Sequence, residues 1–138
     1  MRLPAPLPLL IAAALALGAL SACESKGVNT VYEIGLDELS CALGEPGEWW
    51  ASAPFPGADG ALDEGCEWIA FPALSLIELE HDLGRIPSQI SLYISFTERG
   101  VSSTISSGDS GRIVGADEHH LVVENFTEQD FYLRVEIR

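Results

Sequence analysis

The side chains of this 138-residue chain best suited to chemistry are three histidines, three cysteines, and acidic and aromatic residues gathered between positions 45 and 68. His119 and His120, with His81 as a third ligand, would make a nitrogen set for a metal. Adjacent residues of an extended strand point to opposite faces, so His119 and His120 cannot easily share one ion. His81 closes an alternating segment and is expected at a strand end, hydrogen-bonded into the turn that follows. Asp59, Asp63 and Glu64 cluster in a loop, with Glu45 and Glu48 near in sequence. Oxygen-rich loops can hold calcium, but the spacing of an EF-hand loop is absent; otherwise these are hydrated charges. No metal and no cofactor is assigned from these residues.

Trp49, Trp50 and Phe55 fall in a stretch rich in glycine and proline. On an exposed loop they could stack on sugar rings or anchor a protein partner. The alternative is a small core of the loop itself, capping one end of the domain. Neighbouring tryptophans face apart in extended chain, so one is expected buried and one exposed.

Gly108-Asp109-Ser110-Gly111 resembles the nucleophile motif of trypsin-like proteases. The match stops at Arg112, where that family has glycine, and no Ala-His-Cys segment precedes it. That fold also needs two barrels, more than this chain can supply. A serine becomes nucleophilic only beside a positioned base. A polar turn between two strands accounts for the four residues, and no enzyme is assigned.

The N-terminus has the parts of an export signal. Arg2 gives a short positive start, an apolar run extends from Leu9 to Leu20, and small residues Ser21 and Ala22 follow. Leu20-Ser21-Ala22-Cys23 resembles the lipobox of bacterial lipoproteins: aliphatic, small, small, cysteine. The resemblance implies a diacylglyceryl group on the Cys23 thiol, cleavage just before that residue, and acylation of the new amino group in many members. Two or three acyl chains hold a protein on a bilayer essentially permanently. It also implies a bacterial envelope location. In enteric bacteria an Asp after the lipidated cysteine favours inner-membrane retention; here the residue is Glu24, so the outer membrane is expected where the host has one. The alternative is an ordinary signal peptide with a chance cysteine.

With Cys23 lipidated, Cys41 and Cys66 are left as a pair, and an oxidising compartment makes a disulfide between them the expectation. Two separate buried thiols are the alternative. The formal net charge is −14. Thirteen carboxylates lie between Glu24 and Asp82 against Lys26 alone, whereas eight carboxylates meet five arginines from Leu83 onward. Such a surface repels phosphates, which excludes nucleic acid as a partner.

Residues 1–22 are therefore expected to be the signal, 23–30 a lipidated tether and 31–138 a single domain. Val31-Tyr32-Glu33-Ile34 suggests a first strand and Asp37-Glu38-Leu39 a helical turn. The turn signals from Gly44 to Gly65 predict a long loop, closed by Cys41 and Cys66 at its ends, with 67–71 returning to the core. After Pro72, period-two alternation predicts strands over 77–81, 89–97 and 130–138. In the second of these Ile90, Leu92, Ile94 and Phe96 share one face. Residues 101–105, 112–114 and 120–126 are shorter candidates. The expected fold is all-β: a small antiparallel β-sandwich with a disulfide-closed, Gly/Pro-rich loop lobe.

His81-Asp82-Leu83-Gly84, two residues and Pro87, with Asn125-Phe126-Thr127 ahead of a Phe-x-Leu-x-Val ending, resembles small β-sandwich domains of phage tail and virion proteins over residues 74–138. That likeness implies a sandwich and a binding role, and assigns no functional residue. The sequence thus points to a membrane-anchored envelope lipoprotein that is a non-catalytic binding or structural module, its partner an envelope protein or a glycan. A carbohydrate-binding module using Trp49 and Trp50 is the alternative, and a small hydrolase a third reading.

Overall fold

The computed structural model describes residues 27–28 and 30–138, so the expectations for the signal segment and Cys23 fall outside the described residues. Ten short strands form two packed sheets among them. The first sheet places β1 (Thr30–Ile34), β5 (Ser75–Glu80), β9 (His120–Asn125) and β8 (Arg112–Ala116) side by side in that order. The second runs β2 (Leu43–Glu45), β3 (Trp49–Ala51), β10 (Phe131–Ile137), β6 (Ile90–Ser95) and β7 (Thr104–Ile105), with β4 (Ile69–Phe71) also on β10.

Alternation in the sequence becomes the core directly. Ile77 and Leu79 of β5, Leu121 and Val123 of β9, and Leu133, Val135 and Ile137 of β10 are fully buried between the sheets. Each such side chain contributes about 1.5–3 kcal/mol when fully buried. Every pairing is antiparallel except that of β1 with β5, which is parallel. A parallel pair needs a long crossover; here it is the whole segment from Ile34 to Ser75, including the β2–β3 hairpin and the lobe.

β3 and β4 share one edge of β10. β4 pairs with Phe131–Leu133 and β3 with Glu136 and Ile137. Between them the chain leaves the sheet at Ser52, whose N–H donates to the Val135 carbonyl while its hydroxyl accepts from the Val135 N–H. Residues 53–68 then swing over the outer face of the second sheet. The Cys41–Cys66 disulfide closes this lobe, with Cα atoms 5.1 Å apart.

Three local expectations need correction. The predicted loop from Gly44 to Gly65 begins with a hairpin, β2–β3, turned by Pro46-Gly47. Pro fixes the first corner, Gly47 takes φ +78°, and the Glu48 N–H donates to the Glu45 carbonyl. Phe96 does not join the core: β6 ends at Ser95, the chain bends, and Phe96 is 71% exposed. Of the candidate strand 101–105 only Thr104–Ile105 forms, because Thr97–Val101 is a tight turn closed by Gly100 N–H to the Thr97 carbonyl.

One buried polar side chain pins each end of the sandwich. At the end where β1 starts, Asn125 is fully buried. Its amide nitrogen lies within 3.1 Å of the Phe71, Pro72 and Gln129 carbonyls, and its oxygen accepts from the Thr127 N–H and hydroxyl. At the opposite end His81, 2% exposed, accepts from the Leu83 N–H at Nδ1 and donates from Nε2 to the Asp117 carbonyl. Leu83 is itself fully buried. The two motifs that stand out in the sequence are these two pins.

Candidate functional site

The lobe is held down by one cation among aromatics. Arg134 and Tyr93 are direct cross-strand partners on the outer face of β10 and β6. Outward positions of a sheet are ordinarily wet, yet Arg134 is 3% exposed because Phe55 closes over it. Its guanidinium carbon stands 3.9 Å from the centre of the Phe55 ring and 5.4 Å from that of Tyr93. Nε donates to the Ala53 carbonyl at 2.7 Å, and Nη1 pairs with Glu136 at 3.1 Å. Phe55 meets Tyr93 edge-on at 4.9 Å and Trp68 at 5.9 Å. Trp68, 2% exposed, donates from its indole N–H to the Pro54 carbonyl. Gly100 lies against the Trp68 ring at φ +68°, and an added Cβ would overlap that ring. Phe55 keeps 45% of its surface exposed, so it is both the lobe's clamp and part of its outer skin.

The two tryptophans part company, as adjacent residues of a strand must. Trp50, 4% exposed, belongs to the core, its ring centre 6.1 Å from that of His81. Trp49 is half-buried and lines a groove of about 280 Å³ with Leu36, Leu43, Glu45 and Asp82. Gly44 lets β2 lie close enough to form that wall; a Cβ there would run into the Trp49 carbonyl. The turns around the groove are tied together, since Gly47 N–H donates to the Leu83 carbonyl and Arg85 Nε to the Gly47 carbonyl.

The remaining chemistry-bearing residues are engaged locally. Ser110 lies in a 3-10 turn, its hydroxyl 3.0 Å from Ser106 Oγ and 3.1 Å from the Ser107 carbonyl. Asp109 beside it pairs with Arg112 at 2.6 Å, so these two residues build a turn. His119 and His120 hold their ring centres 6.5 Å apart, nearly perpendicular. The backbone N–H groups of both residues donate to Asp117 Oδ1, which holds that carboxyl below its usual range. Burial lowers the pKa of His81, the neighbouring Asp117 opposing it. Asp59 accepts from the Ala61 N–H within its own loop, and Asp63 offers its carbonyl to Cys66. Among the described residues no three His, Cys, Asp or Glu side chains converge as a metal site. The outer face of the first sheet is acidic, with Glu33, Glu78 and Glu80 beside Glu38 and His120. Glu80 accepts from the Leu36 N–H and Glu38 from the Gly35 N–H, which fixes the 3-10 turn Leu36–Glu38 to that sheet.

No family model, curated protein or solved structure matches this chain. The site therefore stands on its own geometry. Of the predicted aromatics, the structure puts Trp49 in a groove, Trp50 in the core and Phe55 on the lobe, and does not bring the three together. Tyr93 and Arg134 escape a sequence reading, because alternation assigns both to water. The one available signal is that they are central outward residues on strands flanked by an aromatic-bearing loop long enough to cover them.

Proposed function

We propose that this chain is a bacterial envelope lipoprotein, acylated on Cys23 and holding a non-catalytic β-sandwich at a membrane as a binding or structural module. The observation that carries the reading is the tetrapeptide Leu20-Ser21-Ala22-Cys23 directly after an apolar run. Two features support it. The remaining cysteines are joined to each other, as an oxidising compartment favours. The sandwich starts at Thr30, so the tether is short. The outer membrane is the proposed destination in a diderm host, with an envelope protein or glycan as partner and no nucleic acid. Replacing Cys23 with Ser tests this: the native protein should pellet with membranes and require detergent for release, and C23S should lose incorporation of labelled fatty acid. Label retained by C23S would refute it.

A second reading is favoured by the groove. Trp49 offers an aromatic face, with Glu45 and Asp82 able to accept from hydroxyl groups, which suits a sugar ring. Trp50 also lines this groove, but at 4% exposure it offers only an edge. Titrating the protein with peptidoglycan fragments and neutral glycans should shift tryptophan emission in the native chain and not in W49A; a flat response in both removes this reading.

A further inference from the structure

We infer that the domain meets the bilayer with the end at which β1 starts, and that Phe96 and Val101 are the side chains that enter the lipid interface. This facing rests on the lipoprotein reading and adds an orientation to it. Thr30 pairs with Ser75, the first residue of β5, and Ser75 pairs with Asn125, the last residue of β9. The tether therefore enters at one end of the first sheet. In the second sheet β6 finishes there too, since Ser95 pairs with Tyr132 near the start of β10, so Phe96 emerges at the same end.

The seven residues from Cys23 to Asn29 reach at most about 25 Å. A seven-residue strand such as β10 spans about 23 Å. To dock by the opposite end, the tether would have to lie almost fully extended along the whole domain. The Thr30 end needs no such stretch, so the anchor holds that end at high effective concentration beside the lipid.

That end carries an apolar surface. Phe96, 71% exposed, is the most exposed large apolar side chain among the described residues, and it rests on Phe131 with ring centres 5.4 Å apart. Val101, 40% exposed, caps the same loop, its carbonyl held by Ser95 Oγ. Aromatic side chains settle at the headgroup level, where an apolar body finds partial burial. Charge at this end is net acidic: Glu98, Asp109, Glu124, Glu128 and Asp130 stand against Arg99 and Arg112, and Arg112 is taken by Asp109 and Glu124. The attraction is therefore apolar, to the interface itself, and not to anionic headgroups.

The test uses the full mature protein, extracted with its native N-terminus, labelled with fluorophenylalanine and reconstituted in phosphatidylcholine nanodiscs containing a paramagnetic headgroup lipid. F96L and F55L assign two of the signals. Phe96 should broaden most and Phe55 on the lobe far less. The double variant F96S/V101S should lower the docked fraction on the order of tenfold, the factor that partial burial of one phenylalanine supplies. Equal broadening of Phe55 and Phe96 on an acylated protein, or no change in F96S/V101S, overturns the facing alone. A mass spectrum of the same sample showing no acyl chain on Cys23 overturns the lipoprotein reading and the facing with it.

Discussion

The two ends of the sandwich solve the same problem with different chemistry. Each must join the two sheets through irregular backbone whose polar groups are out of water. The Thr30 end does it with Asn125, a neutral amide that bonds five backbone or hydroxyl groups at any pH. The opposite end does it with His81, whose Nδ1 must be bare to accept from Leu83. A proton there would set two donors face to face. The Thr30 end is thus built to be permanent, and the end bearing the Trp49 groove is built on a group that titrates.

Removing the permanent pin should have the largest effect. Asn125→Ala leaves three carbonyls and the Thr127 N–H without their partner inside the protein, and should cost about 3–5 kcal/mol in denaturant unfolding. An unchanged midpoint would show that the amide is not what joins the sheets. Next comes the staple. The loop between Cys41 and Cys66 spans 25 residues in sequence, and opening it in C41S/C66S should cost about 3–4 kcal/mol on the chain-entropy account. Arg134→Ala removes the cation beneath Phe55, with a charge-assisted bond to Ala53 and the stacking on that ring lost together, for about 2–3 kcal/mol. It should also speed amide exchange in residues 53–68 more than in β9.

The titrating pin gives the sharpest contrast. Burial holds the folded pKa of His81 below its ordinary value near 6.5, so the unfolded chain takes up the proton more readily. The stability this contributes is complete above about pH 6.5 and is lost as pH falls through the folded value. In unfolding midpoints measured from pH 8 to 5, N125A should keep the native acid slope, whereas His81→Gln should flatten it. A slope that survives in H81Q would move the acid sensitivity to the paired carboxylates. The smallest effect belongs to Trp49→Ala, which loses a half-buried ring and should cost about 1 kcal/mol with no change in acid slope.

How much of this was legible in the sequence depended on whether one face of a strand was dry and the other wet. β5, β6 and β10 alternate in that way, and the pattern found them. It misplaced Phe96 because alternation has no knowledge of where a strand ends. It also assigned Arg134 to water, since nothing local says that a loop eighty residues earlier will fold over it. The hairpin β2–β3 was hidden because strands of three residues are too short to show a period, and Gly44, Pro46 and Gly47 look like loop. His81 and Asn125 were visible as motifs before they were intelligible as pins. The Trp49 groove needs Leu36 and Asp82, which are distant in sequence, and became recognisable only when the topology closed.

The envelope placement and the facing toward lipid both require that the first residue of the mature chain be an acylated cysteine. Intact-mass analysis of the protein extracted from membranes, followed by sequencing of its N-terminal peptide, measures this directly. The expected result is a chain beginning at Cys23 that carries a diacylglyceryl group on its thiol. A mature chain that begins elsewhere, or a bare thiol at Cys23, would contradict it.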